Sequence, residues 1–436
     1  MSLPQTEGLR LEQAPPLILP VAFFTAGASF LACAGLLLAI LGGKAATLPW
    51  DPSTLVLTHL LTVGFLGHVM MGALFQMTPV VAGEPVPRVR FAVLVLGILA
   101  AGLLLLLSGG LAGTPSPFFT AFSLLTAGAF LFVLLVGTAL LRSPAWNPTV
   151  TGMRLSLLCF LAVLLLGGLM SHGFGSGVFP GDRASFIQIH ASLALLGWVG
   201  GLICAVSWQV VPMFYLCDEV PNGRRWMVLA LTAAGLAPLV PLILLAWGFD
   251  HPRPGTLRLA AFLAAAPAAL AVWVLQPTWI LASLKTRKRR KVEISLRFWQ
   301  AGLRTAFLLP PAGVLAFLGG EPRYVLLFVF LALFGWAGLC VHGMLSRILP
   351  FLYWFHRFSP LVGLHPVPSM NRLLPASIPE FGFRLHLAAL LVLSAGILST
   401  SDLLLRLGGF LLVATAASIL RMVLRLQGRR PETEAG

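Results

Sequence analysis

The side chains in this sequence best suited to chemistry are imidazoles set in apolar surroundings. His59 and His68 lie in THLLTVGFLGHVMMGALFQMTPVVAG (58–83), His190 in QIHASLALLGWVGGLICAVSWQVVPMFY (188–215) and His342 in FLALFGWAGLCVHGMLSRILPFLYW (330–354). A neutral imidazole is a good ligand for iron or copper. Within hydrocarbon it is costly unless it has such a ligand or a hydrogen-bonding partner.

The three stretches share a pattern. Each has a glycine–aromatic pair near its middle: Gly64-Phe65, Gly197-Trp198 and Gly335-Trp336. Each then reaches a proline fifteen residues after that glycine, at Pro79, Pro212 and Pro350, and three residues before the proline stands Gln76, Gln209 or Arg347. Counted back from these prolines, His59 and His190 fall near one end of their helices. They are candidate metal ligands. The position eight residues before each proline holds Met71, Cys204 and His342, and with His68 these are soft or borderline donors of the kind copper accepts. Each imidazole also has a plainer reading, a hydrogen bond to a neighbouring carbonyl. The Met/Cys/His column is equally compatible with ordinary packing, and Gln76 and Gln209 with satisfying carbonyls freed by the prolines. Arg347 is expected to snorkel toward an interface. Small residues such as Gly72 and Gly338 allow helices, or a planar macrocycle, to come close.

The elements that carry these residues are membrane helices. Hydrophobic residues make up 58% of the chain, charged residues 10%, and mean hydropathy is +0.93. Apolar runs of spanning length recur near 17–42, 54–82, 90–110, 117–142, 152–172, 184–215, 225–248, 257–284, 295–319, 323–355, 381–400 and 402–427. In lipid the backbone must satisfy itself, so these runs are helices. The expected fold is all-α, about twelve transmembrane helices in three pseudo-symmetric four-helix units at 17–142, 152–284 and 295–427. Together they form one membrane domain, 17–427, between tails 1–16 and 428–436.

The net charge of +15 sorts by loop rather than pointing to nucleic acid. Arg88, Arg90, Arg224, Arg225, the run KTRKRRK (285–291), Arg357, Arg372 and Arg384 fall on the side shared by both termini. The positive-inside rule makes that side cytoplasmic, and the basic run becomes a lipid-headgroup contact. The fourteen acidic residues all lie in loops, tails or helix ends. A proton pump or cation-coupled transporter usually keeps a carboxylate inside a span, so the pattern argues against both. The five cysteines have no CxxC spacing and suggest no disulfide framework.

Twelve helices in three groups of four, with histidines on helices 2, 6 and 10, resemble subunit I of the haem-copper oxidase superfamily. His59 with the following GALFQMTP is similar to helix 2 of nitric oxide reductases and their relatives, where the histidine is a low-spin haem ligand. The order His59, Gly64-Phe65, Gly72, Pro79 and Gly83 is close to helix 2 of the NnrS family of haem- and copper-containing membrane proteins associated with nitric oxide stress. The segment from His190 to Trp198 looks like the ligand helix of the oxidases, which carries His-x-His; here the second histidine is Ser192, and the helix is the sixth. The copper-centre His-His pair and the His-Pro-Glu-Val-Tyr segment are absent. The resemblance therefore implies a haem b bound by His59 and His190, as a pair or on separate haems, and a copper site among His342, His68, Met71 and Cys204, without a complete oxygen-reducing site. It further implies a bacterial inner-membrane protein with both termini cytoplasmic, in respiratory electron transfer or nitrogen-oxide response. Its partners would be lipid, other respiratory subunits or a small electron carrier, with no nucleic acid. The alternatives are a copper or haem insertion factor for oxidase assembly and a non-catalytic membrane subunit.

Overall fold

The computed structural model describes residues 15–46, 48–179, 181–247, 254–288 and 292–428. Residues 1–14 and 429–436 of the tails, His251 and residues 289–291 of the basic run lie outside them. The chain is an all-α polytopic membrane protein. Among the described residues, twelve helices are long and apolar enough to cross a membrane: α1 Ile18–Ala45, α2 Pro52–Ala82, α3 Val89–Ala112, α4 Phe118–Arg142, α5 Pro148–Phe174, α6 Arg183–Tyr215, α7 Asn222–Ala246, α8 Gly255–Lys285, α9 Ile294–Leu318, α10 Pro322–Arg357, α11 Ser377–Ser399 and α12 Asp402–Gln427. Large apolar side chains such as Leu158 and Leu391 stay exposed along the spans, a surface suited to lipid. Expected and observed boundaries agree to within about four residues, the largest shifts being the earlier starts of α5, at Pro148, and of α11, at Ser377. In α11, Pro379 sits in the first turn, where a missing N–H costs no hydrogen bond.

The repeat has a backbone signature. In α2, α6 and α10 the helix widens to a π-helix over eight residues, Leu60–Gly67, Leu193–Gly200 and Leu331–Gly338. Each octet begins nineteen residues before its proline, and the sequences LLTVGFLG, LALLGWVG and LALFGWAG keep glycine at the fifth and eighth places. The eighth glycine has a steric reason. A Cβ at Gly67 would lie 3.1 Å from Thr62 O, and one at Gly338 would lie 3.0 Å from Leu333 O, the carbonyl five residues back in each case.

The fifth glycine is a packing seat. A Cβ at Gly197 would meet Cys159 of α5 at 2.6 Å, and one at Gly335 would meet Thr305 of α9 at 2.9 Å. Further along, Gly72 receives Phe23 of α1, Ala205 faces Gly152 of α5, and Gly343 receives Phe298 of α9. The small residues of the motif thus hold the preceding helix close.

By packing, the described residues divide into two compact units. One lies within 74–288; the other joins 16–73 to 292–428. Within the 74–288 unit, α3 meets α4 at Gly102 and Gly128, and α7 meets α8 at Gly235. Phe160 of α5 stacks on Trp198 of α6 at 4.2 Å. Trp208 of α6 donates to Gln276 Oε1 of α8 at 2.8 Å, and Gln276 Nε2 donates to Ser207 at 2.7 Å. Within the other unit, α1 and α12 touch backbone to backbone, where a Cβ at Gly35 would lie 2.6 Å from Gly409 O. Arg406 closes the end of that contact by donating to Asp402 and to the carbonyls of Ala39 and Ile40.

Candidate functional site

Two of the π-octets anchor imidazoles. In the unit joining 16–73 to 292–428, the fourth carbonyl of the α2 octet, Val63 O, accepts the His68 Nδ1–H at 2.9 Å. The equivalent carbonyl in α10, Phe334 O, accepts from His386 Nε2 of α11 at 2.9 Å. Widening the helix moves the regular donor one residue on and leaves such carbonyls open to a second partner.

A carbonyl only accepts, so each bond fixes a tautomer. His68 carries its proton on Nδ1 and its lone pair on Nε2. That Nε2 is fully buried and has no hydrogen-bond partner; the ring sits by Phe30 at 5.1 Å and Phe23 at 6.0 Å, both on α1. His386 is protonated on Nε2, so its Nδ1 holds a lone pair. That lone pair faces His342 Nδ1 at 3.2 Å, and the buried His342 Nε2 has no partner. Phe334 stacks on His386 at 3.9 Å, and Phe298 lies 4.5 Å from His342.

His59 stands immediately before the first octet, half-buried, and its Nδ1 donates to Leu55 O at 2.8 Å. The lone pair is therefore on Nε2, the arrangement found in metal-ligating histidines whose other nitrogen is anchored. His190, in the 74–288 unit, is half-buried against Gly167 of α5, where a Cβ would come within 3.3 Å of its Cε1. Met71 and Cys204 are fully buried on α2 and α6. Among the described residues, no three His, Cys, Asp or Glu side chains lie close enough together to hold a metal ion.

One expectation changes. Arg347 does not snorkel: it is buried and pairs with Glu293 at 2.9 Å, because the start of α9 places a carboxylate beside it. His386 lies well inside α11 and is the partner of His342, a pairing that no residue spacing in the sequence indicates. Gln76 is buried with Oε1 unbonded.

The donor chemistry fits iron or copper, since neutral imidazoles present a lone pair with the second nitrogen anchored. An apolar cavity of about 60 Å³ lies beside α2, bounded by Thr58, Leu61, Leu38, Phe330, Leu333 and Leu393. It is far too small for a porphyrin, and His59 does not line it. Compared with protein-family models and with curated proteins, the chain matches none.

Proposed function

We propose that this chain is a haem-b-binding integral membrane protein on a subunit-I-like scaffold, serving respiratory electron transfer or nitrogen-oxide response. It resides in a bacterial inner membrane with both termini cytoplasmic, and lacks a complete oxygen-reducing site. The observation that carries the reading is the His59 tautomer: its Nδ1–H is held by Leu55 O, so Nε2 bears the lone pair. Haem iron takes a neutral imidazole presented in this way. His59 serves as ligand in its own unit and His190 in the other. A haem so bound supplies one-electron chemistry. The resemblance of the His59 motif to the NnrS family supports the assignment.

A second reading has its own support: a non-catalytic membrane subunit whose imidazoles serve only the fold. His68 and His386 already satisfy carbonyls that the π-octets leave open. A visible spectrum of protein purified from haem-replete cells decides between them. The haem reading expects a Soret band with sharp α and β bands on reduction, weakened in His59→Ala and His190→Ala and unchanged in His356→Ala. A colourless preparation leaves the structural reading.

A further inference from the structure

His342 and His386 are fully buried, and their rings meet nitrogen to nitrogen, with Nδ1 atoms 3.2 Å and ring centroids 5.4 Å apart. The Phe334 carbonyl fixes a lone pair on His386 Nδ1. Something positive must face it: the His342 Nδ1–H, or a cation.

We propose that this pair is a two-imidazole site for one monovalent soft metal ion, copper(I), held between the two Nδ1 atoms. Two nitrogen–metal bonds of about 2.0 Å each in the linear arrangement that copper(I) accepts need the nitrogens roughly 4 Å apart. The rings therefore have to part by less than 1 Å from their 3.2 Å spacing. Gly382 leaves room for this, since a Cβ there would lie 3.2 Å from His342 Nε2.

The proton balance closes without a base. His342 moves its proton from Nδ1 to Nε2, no proton is lost, and the site gains only the charge of the ion. Ser418 Oγ borders the same gap, 2.8 Å from that Cβ position. Its own proton is given to Thr415 O at 2.7 Å, so it keeps a lone pair for the new Nε2–H. Phe298 and Phe334 pack on the two rings and bring no negative charge. A monovalent ion thus leaves one uncompensated charge in the interior and a divalent ion two, which favours the former. Imidazole suits copper. The site is independent of haem: a chain without a Soret band can bind the ion, and a haem-loaded chain can fail to.

The test uses the full-length protein in detergent with silver(I), a redox-inert stand-in, and with copper(I) in competition with a chromophoric chelator. The expected result is one ion per chain with two nitrogen neighbours near 2 Å by X-ray absorption. His342→Gln and His386→Gln should lose binding, and His59→Ala should keep it. Ser418→Ala, which retains both imidazoles, should weaken binding about tenfold, the lower range for loss of an outer-shell partner. A sulfur neighbour, less than one ion per chain at micromolar excess, or unchanged affinity in a folded His386→Gln chain overturns the proposal. If His386→Gln does not fold, the identity of the neighbours in the wild type still decides.

Discussion

The carbonyl oxygens of Val63 and Phe334 occupy the same place in two π-octets, and each accepts an imidazole N–H at 2.9 Å. The donors come from different places: His68 follows its own octet, whereas His386 reaches across from α11. The repeat therefore conserves a vacancy in the backbone rather than a histidine position. The two vacancies also differ in what else fills them. Val63 O takes the backbone N–H of His68 as well, while in α10 the corresponding Leu339 N–H turns to Trp336 O.

This difference predicts an order of stability. His386→Leu removes the imidazole bonded to Phe334 O and strands the His342 Nδ1–H in an apolar interior. At about 1–3 kcal/mol for each stranded group, it should cost roughly 2–4 kcal/mol. His68→Leu leaves Val63 O with its backbone donor and should cost about 1 kcal/mol or less. Equilibrium unfolding in mixed detergent micelles measures both, and a larger loss for His68→Leu would contradict the account.

The glycine seats predict a contrast between contacts that a side chain can relieve and contacts that it cannot. At Gly197 the obstacle to a methyl group is the Cys159 side chain at 2.6 Å; at Gly35 the obstacles are backbone atoms, Gly409 O at 2.6 Å and Val413 N at 2.8 Å. Each alanine substitution should destabilise by about 1–3 kcal/mol, the usual cost of overpacking. Adding Cys159→Gly should recover a large part of the loss in Gly197→Ala. No side-chain truncation on α12 should do the same for Gly35→Ala. Thermal unfolding of the two series, followed by helical signal, checks this.

Much of this was legible in the sequence. Twelve spans followed from apolar run length, and the repeat from the glycine–aromatic pairs and their prolines. The π-octets were not, because widening a helix by one residue per turn leaves no mark in hydropathy; only the second glycine, at Gly67, Gly200 and Gly338, carries it. The two-unit packing was equally hidden. A sequence repeat records how segments arose, whereas the contact of α1 with α12 depends on Gly35 and Gly409, which lie outside the motif. The partner of His342 was out of reach because it comes from a segment 44 residues away with no periodic relation to it.

Cys217, in the loop after α6, offers a pH test outside the spans. Burial pushes its thiol above the ordinary value, and its sulfur rests 3.2 Å from Ser283 Oγ. The thiolate is the reactive form. Maleimide labelling should therefore be slow at pH 7 and climb only as pH passes above the usual thiol range. Ser283→Ala should leave that direction unchanged, since burial is the main cause. Rapid labelling at pH 7 in the folded protein would show the thiol to be open.

Arg347 and Glu293 give the last prediction. The guanidinium side chain is 9% exposed and the carboxylate side chain 24%, at 2.9 Å. Breaking a fully buried pair by removing one partner costs about 3–5 kcal/mol, because the other charge is left behind. Glu293 keeps some access to solvent, so Arg347→Met should cost less, about 2–3 kcal/mol. Glu293→Gln leaves the more buried cation behind and should cost at least as much. The double substitution should be milder than the sum of the two, with a coupling of about 1 kcal/mol or more. Strict additivity in the cycle would mean that the two groups do not depend on each other, and that Arg347 is held by its remaining contacts alone.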